Sequence, residues 1–500
     1  LRQLLIERLM NGYGRPPEVA ANLVDHHLVL PVLDGLDEMD PLQYGGVPDP
    51  QAPRARAALA RLSTYQDAAA PAQLILTCRA SHYNALADAD TLVDAAHVTI
   101  TPVDAPDAVA YLASRTRTPA RWRPLLDHLA ANPTSPQATL LSTPWRLRLV
   151  ATVYARTGDP TELLAHTTAH SLDQHLLAQY IPAVAAIANA AGTNARQYTP
   201  GQIHQWLHNL AAQLAVDTTA SARSDIVLHR LWPMAGRTRV RITDVFLTVI
   251  ACCTPILLAM FWATTSRASP ALVAAGLILS VGLRAATTPP EPMRVDLRRL
   301  SSALRLTDFL LSMAAYVAIG SMVGVFAKVM KETPTSPLIG WALCGGVLGL
   351  LLTIPSGLVS APSSAAMPRA VIRQDAQFSL FSGAMACIVC GLTLSVILGP
   401  AYAITGGLTA GLIAGLVAYQ GGGGRRRRGG TPLRGAGAAR RYTVFLLCAR
   451  GSVPFRLANF LDWGCEAGLM RYSGTAYQFR HRELQLWLSD HPEPTPSPIP

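Results

Sequence analysis

The apolar positions of this chain change period several times, and each change predicts a different element. Leu4, Leu5, Ile6 and Leu9 fall at helical spacing. Residues 28–33 form a short β-rich run that ends in Asp34-Gly35-Leu36-Asp37-Glu38, and residues 73–76 form another that ends in Thr77-Cys78-Arg79. Between them, Ala58, Leu59 and Leu62 mark a helix over residues 54–65, a crossover of the length that joins two parallel strands. Val98-Thr99-Ile100 is a candidate third strand, followed by a helix over 105–112. Apolar residues at i, i+3 and i+4 then predict helices at 125–129, 141–154, 171–188 and 202–214. Pro182 should kink or split the third of these, and Ser171 with Gln174 fits a capping box.

From about residue 244 to 419 the pattern becomes almost continuously apolar. Six stretches stand out, at 244–264, 269–283, 309–327, 338–355, 379–398 and 402–419, several of them near the ~20 residues that span a bilayer. Arginines collect before the first stretch, between the second and third (Arg284, Arg294, Arg298, Arg299, Arg305), between the fourth and fifth (Arg369, Arg373), and after the sixth (Arg425–Arg428). That alternation predicts three hairpins with cytoplasmic flanks, hence a multi-pass protein of the cytoplasmic membrane in contact with the lipid bilayer. Small-residue spacings such as Gly406, Gly411 and Gly415 would let such helices approach closely, and the lack of charges mid-span disfavours a transporter.

Composition sharpens the picture. Half of the 500 residues are hydrophobic and 15% are charged, and the mean hydropathy is +0.25. The net charge of +11 rests on arginine; its placement at the ends of apolar stretches makes a nucleic-acid partner unlikely on the sequence. Cys387 and Cys390 are spaced as C-x-x-C inside an apolar run, without a thioredoxin-like context. Residues 442–490 predict a compact unit: helix 453–467, strand 469–472, a turn at Ser473-Gly474, strand 476–479 and a final helix, the order of a winged helix. The Pro-rich residues 491–500 predict a disordered tail.

The chemistry gathers at the two strand ends. A buried strand that delivers Asp34 can place its carboxylate in the water shell of Mg²⁺, while Glu38, one turn on, can orient a nucleophilic water. Gly35 lets the chain leave the sheet with no side chain in the way. Ligand-binding groups collect at the carboxyl ends of neighbouring parallel strands, so Arg79 should emerge beside Asp34, where it could read a terminal phosphate. The plain alternative is a core strand closed by an acidic turn.

These blocks resemble, in order, the motifs of NACHT-type NTPases, signal-transducing ATPases of the STAND class, with a flavour similar to actinobacterial members. Asp34-Gly35-Leu36-Asp37-Glu38 looks like the acidic Walker B, and Leu76-Thr77-Cys78-Arg79 like the sensor-1 strand. Ser142-Thr143-Pro144-Trp145-Arg146 is similar to a helical-domain motif whose proline packs near adenine, which points to Pro144. Phe479-Arg480-His481 with Gln485 resembles the winged-helix signature whose histidine touches the β-phosphate in some relatives, which points to His481.

The resemblance implies an α/β partial P-loop NTPase core over 1–118, helical domains over 119–240, a six-helix transmembrane region over 241–420, a basic linker over 421–441 and a winged-helix-like domain over 442–490. It further implies ATP (or GTP) and Mg²⁺ as cofactors, with Asp34 at the metal, Asp37 and Glu38 catalytic, and Arg79, Pro144 and His481 at the nucleotide. A homo-oligomer on activation and a signalling or defence role would follow. No G-x-x-x-x-G-K-[ST] motif occurs in the chain, and its only lysines are Lys328 and Lys331. The expectation is therefore a fragment that starts downstream of the P-loop and binds nucleotide weakly. The competing expectation is a non-hydrolysing membrane scaffold or pore-forming effector with a degenerate NTPase-like region.

Overall fold

The computed structural model describes residues 1–40, 49–66, 73–86, 95–116, 118–156, 158–190, 197–216, 225–262, 367–397 and 437–494, with isolated positions from 292 to 360 and at 408. The chain opens with α1 (Arg2–Tyr13) and α2 (Pro17–Asp25), tied by the Arg2–Asp25 ion pair at 2.6 Å. Strand β1 (Val32–Leu33), α3 (Pro53–Gln66), β2 (Ile75–Leu76) and α4 (Ala80–Ala85) follow. β1 and β2 run parallel, in a register that pairs Val32 with Ile75 and Leu33 with Leu76. Beneath this ribbon lies a small core of Leu36, Ala52, Ala55, Leu59 and Leu86. Asp40 starts α3, its carboxylate accepting from the Arg54 and Ala55 amides at 3.2 and 2.8 Å.

A helical body comes next: α5 (Ala105–Arg115), α6 (Pro119–Ala131), α7 (Pro136–Leu140), α8 (Pro144–Val153), α9 (Ala169–Ala190) and α10 (Pro200–Val216). The helix expected over 141–154 is α8 and starts three residues later, because residues 141–143 form a turn after α7 and the Thr143 hydroxyl caps α8 by accepting from the Arg146 amide at 3.4 Å. α9 runs unbroken through Pro182, since Tyr180, Ile181, Val184 and Ala185 bury around it and packing outweighs the lost amide. Thr168, not Ser171, supplies the oxygen at its start, and Gln174 instead accepts from the Trp487 indole at 2.7 Å.

Strand β3 (Asp225–Ile226) leads into α11 (Arg237–Trp262). Two further short strands, β4 (Arg294–Val295) and β5 (Val359–Ser360), pair antiparallel. The chain then returns through α12 (Pro368–Ile397), α13 (Ala438–Cys448), α14 (Leu457–Glu466), the hairpin of β6 (Met470–Ser473) and β7 (Ala476–Phe479), and α15 (Arg482–Asp490). Gly474, at φ 55, makes the hairpin turn. β7 pairs with β6 on one side and with β3 on the other, all antiparallel. One hydrophobic core consequently joins residues of α5–α10, such as Leu125, Leu149, Tyr180 and Leu207, to Phe445, Phe460, Tyr477 and Leu484 from the C-terminal region.

Three expectations are corrected here. The described fold is mostly helical, and the α/β core is a single two-stranded ribbon. Val98-Thr99-Ile100 is not a strand: Val98 and Ile100 are 81% and 91% exposed, so the alternation has no face to bury. The transmembrane bundle, and the multi-pass location in the cytoplasmic membrane built on it, are overturned because no helix among the described residues is long and apolar enough to cross a membrane. Of the six apolar stretches, the first and fifth fall largely on α11 and α12; the others lie outside the described residues apart from isolated positions.

The described parts of α11 and α12 are docked to protein through charge. Asp244 of α11 is 1% exposed and faces Arg441 and Arg440 of α13 at 3.1 and 3.4 Å. The Arg441 guanidinium also covers the Trp232 ring, 5.0 Å from its centre. On α12, fully buried Asp375 accepts from the Ala439 amide at 2.8 Å, at the first turn of α13. Removing one side of such a contact strands a buried charge. Asp244→Ala should therefore cost about 3–5 kcal/mol in a urea-unfolding experiment. Asp244→Ala combined with Arg441→Met should lose less than the single change, and a single-variant loss below about 1 kcal/mol would show that the contact is not structural.

Candidate functional site

The parallel register decides where the acidic block sits. Thr77 donates its amide to Leu33 O at 2.9 Å and accepts the Leu36 amide at 3.2 Å, so both strands end at one level. Asp34 leaves β1 there and accepts a hydrogen bond from the Thr77 hydroxyl, which also takes the Gly35 amide at 3.3 Å. Gly35, at φ 88, adopts the left-handed conformation that turns the chain into the short 3₁₀ segment Leu36–Glu38. That segment presents Asp37, whose carboxylate meets the Arg79 guanidinium at 3.1 Å and the Arg79 amide at 3.4 Å. Arg79 is thus held at the start of α4, its side chain still 57% exposed beside the 11% exposed Asp37.

Asp34, Asp37 and Arg79 therefore share one end of the ribbon, with Thr77 between them. The backbone of Glu38 closes the 3₁₀ segment, and its side chain lies outside the described residues. Next to this cluster, Leu36, Asp37, Asp40, Asp49, Ala52, Ala55, Cys78, His82 and Leu86 line a small recess. Burial and the Asp37 carboxylate push the Cys78 thiol above its ordinary range, so it is a thiol near neutral pH. Among the described residues no group of three His, Cys, Asp or Glu side chains is arranged to hold a metal. The donor set at Asp34 still suits Mg²⁺, which keeps most of its waters and takes one or two carboxylates together with phosphate oxygens.

Pro144 and His481, 337 positions apart in sequence, are brought to one place. Pro144 is exposed at the first turn of α8. Its neighbour Trp145 stacks on His481, with ring centres 3.5 Å apart and planes 15° from parallel. Tyr180 packs edge-on against the other partner of the stack, 5.3 Å from the Trp145 ring. Burial, followed by the positive charges of Arg480, Arg148, Arg471 and Arg146, pushes the His481 imidazole down to about 4, so it is neutral near pH 7. Arg146 is itself compensated by Asp173 at 3.0 Å. Among the described residues no hydrogen bond or ion pair joins this corner to Asp34 or Arg79; the two clusters sit on separate hydrophobic cores.

Sequence reasoning named the acidic block, Arg79, Pro144 and His481. It missed Thr77 as the hydroxyl between the strands, and it missed Trp145, Arg148 and Arg480 around His481. The adjacency of Trp145 to Pro144 and of Arg480 to His481 was visible; their convergence depends on tertiary packing. Comparison with known proteins identifies nothing: no family model matches the chain, and neither a curated protein nor a solved structure does. The resemblance to NACHT-type NTPases gains no support from that source.

The depressed histidines fix a pH dependence. His481 and His229 are both neutral in the fold, with burial the leading cause and values pushed down to about 4. The unfolded chain takes up those protons near pH 6.5, whereas the folded chain does so only near pH 4. Stability should fall as pH drops from about 6.5 towards 4. His481→Phe keeps a ring on Trp145 and removes one of these titrations, so its urea midpoint should decline less between pH 7 and pH 5 than that of the parent. Equal declines would mean that His481 is not held neutral.

Proposed function

We propose that this chain is part of a nucleotide-driven conformational switch of the NACHT kind, in which the β1–β2 ribbon supplies the metal-binding and water-orienting side of a nucleoside triphosphate site. The observation that carries the reading is the shared end of the two parallel strands, where Asp34, Thr77, Asp37 and Arg79 interlock. In this scheme Asp34 would hold Mg²⁺, with ATP or GTP as the nucleotide. The metal supplies charge neutralisation on the phosphates.

The residues of the chain do the rest. Glu38 orients the attacking water and takes its proton. Asp37 positions Arg79, and exchange of that guanidinium from Asp37 to a terminal phosphate couples nucleotide state to the start of α4. Pro144 packs on the base and His481 meets the diphosphate when the two cores close on one another. A signalling role is the output that such a switch serves.

One observation favours a second reading. The Asp37–Arg79 contact uses up the sensor guanidinium internally, which suits a scaffold that holds its shape without hydrolysis. Turnover separates the two. Glu38→Gln should lower Mg²⁺-dependent ATP hydrolysis by about 100-fold or more while leaving nucleotide affinity within a few-fold. Asp34→Asn should raise the Mg²⁺ concentration needed for half-maximal turnover. Hydrolysis that is unchanged in Glu38→Gln favours the scaffold.

A further inference from the structure

We propose that the outward faces of α11 and α12 form a docking surface for an anionic phospholipid headgroup layer, with arginines at its base and apolar side chains beyond them. The surface does not rest on the switch reading. It lies on a bilayer and does not cross it, since no helix among the described residues is long and apolar enough for that.

Both helices are turned partly inside out. Along α11 the buried stripe is Val240, Asp244 and Thr248, and Asp244 faces α13. Ile242, Phe246 and Ile250, rotated from that stripe by about half a turn, are 64%, 62% and 47% exposed. Along α12 the buried stripe runs through Asp375, which also meets α13, and Ser382. The opposite stripe carries Leu380 and Ile388, 74% and 57% exposed, with Ala384 exposed between them. A helix whose outer face meets water shows polar side chains there and keeps its apolar ones inside. Here each helix turns a carboxylate and a hydroxyl inward and large apolar side chains outward. Exposed apolar side chains that recur at helical spacing, on two helices rooted on the same third one, mark an interaction surface.

Charge selects the occupant. The only acids on α11 and α12 are Asp244 and Asp375, and both are buried. The exposed charge on the two helices is therefore all positive. Arg369 meets Asp462 of α14 at 3.7 Å. Arg237, Arg239, Arg241 and Arg373 are exposed and, among the described residues, have no acidic partner in ion-pair range. Each outward stripe begins with an arginine, Arg239 on α11 and Arg373 on α12, and turns apolar further along. Guanidinium at one level and apolar side chains beyond it match a headgroup layer, whose phosphates lie above the acyl boundary that takes in apolar groups. A second copy of the chain would have to bring this positive surface against itself, which like charge opposes.

The test is flotation of the full chain on a density gradient with vesicles of phosphatidylglycerol and phosphatidylcholine in equal parts. The parent should float, and less of it should float at high salt. Ile242→Ser, Phe246→Ser and Ile250→Ser combined should weaken binding about tenfold or more. These side chains are exposed, so the fold should survive; Phe246→Ser alone, losing several-fold, serves where the triple variant does not fold. Arg239→Gln combined with Arg373→Gln should weaken binding by about tenfold, and vesicles of phosphatidylcholine alone should bind the parent more weakly by about the same factor.

A parent that stays at the bottom of the gradient, variants that float as the parent does, or equal flotation on phosphatidylcholine alone would overturn the proposal. So would a vesicle-free parent that is a dimer by light scattering and becomes a monomer in the triple variant, since a second copy would then cover the stripes.

Discussion

The pairing of β3 with β7 is the constraint on which the larger body depends. Asp225 and Gln478 are register partners although 253 positions separate them. With two residues contributed by β3, the energy cannot come from the ladder alone. It comes from the core that the pairing closes, where Ile226 and Tyr477 are both fully buried. The entropic cost of closing so long a loop grows only as the logarithm of its length, so a large insertion is tolerated once the two ends find each other.

That closure determines where everything else emerges. The chain leaves the body at α11 and re-enters at α13, and these helices meet through Asp244 and Arg441. Asp375 of α12 meets the first turn of α13 from another direction. A buried carboxylate costs several kcal/mol unless it is matched, which makes such contacts poor glue but strong determinants of register. The root of the insertion is therefore specified by charge as well as by apolar packing, with Val240 of α11 buried against Val444 and Cys448 of α13. The same closure carries His481 onto Trp145. Two histidines add to the seam: His204 and His208 contact the carbonyls of His491 and Leu488, at the C-terminal end of α15.

Local pattern was enough to find most elements, and the reasons for the exceptions are physical. Helices whose apolar stripe faces a real core, such as α9 and α10, lie within two residues of their expected ends. The strand ends at Asp34 and Arg79 were legible because a β-rich run that terminates in charge has few alternatives. Val98-Thr99-Ile100 has the residue types of a strand, but β propensity expresses itself only where a neighbour covers it. The six apolar stretches were read from hydropathy alone. Hydropathy does not register that Asp244 and Asp375, near the starts of two of the helices, find buried partners in protein. Pro144 and His481 could be named one by one, but the stack that joins them could not be, since its members lie on opposite sides of the insertion.

The two candidate clusters belong to different cores, and that separation has a mechanical meaning. Asp34 and Arg79 ride on the small core under β1 and β2, while Trp145 and His481 are locked into the large one. The Val103 amide donates to Ser142 O at 2.7 Å, two residues before Pro144. That contact belongs to the large core, against which Val103 packs, and fixes the segment that leads into α5 to the start of α8. Packed interiors resist relative motion because every side chain has neighbours to displace, and among the described residues no buried side chain of one core belongs to the other. If phosphate charge is recognised on both sides, the ligand itself supplies the cohesion that the protein omits, and closure follows occupancy. Differential affinity of that sort is what a switch requires, since a ligand that binds two states equally shifts neither.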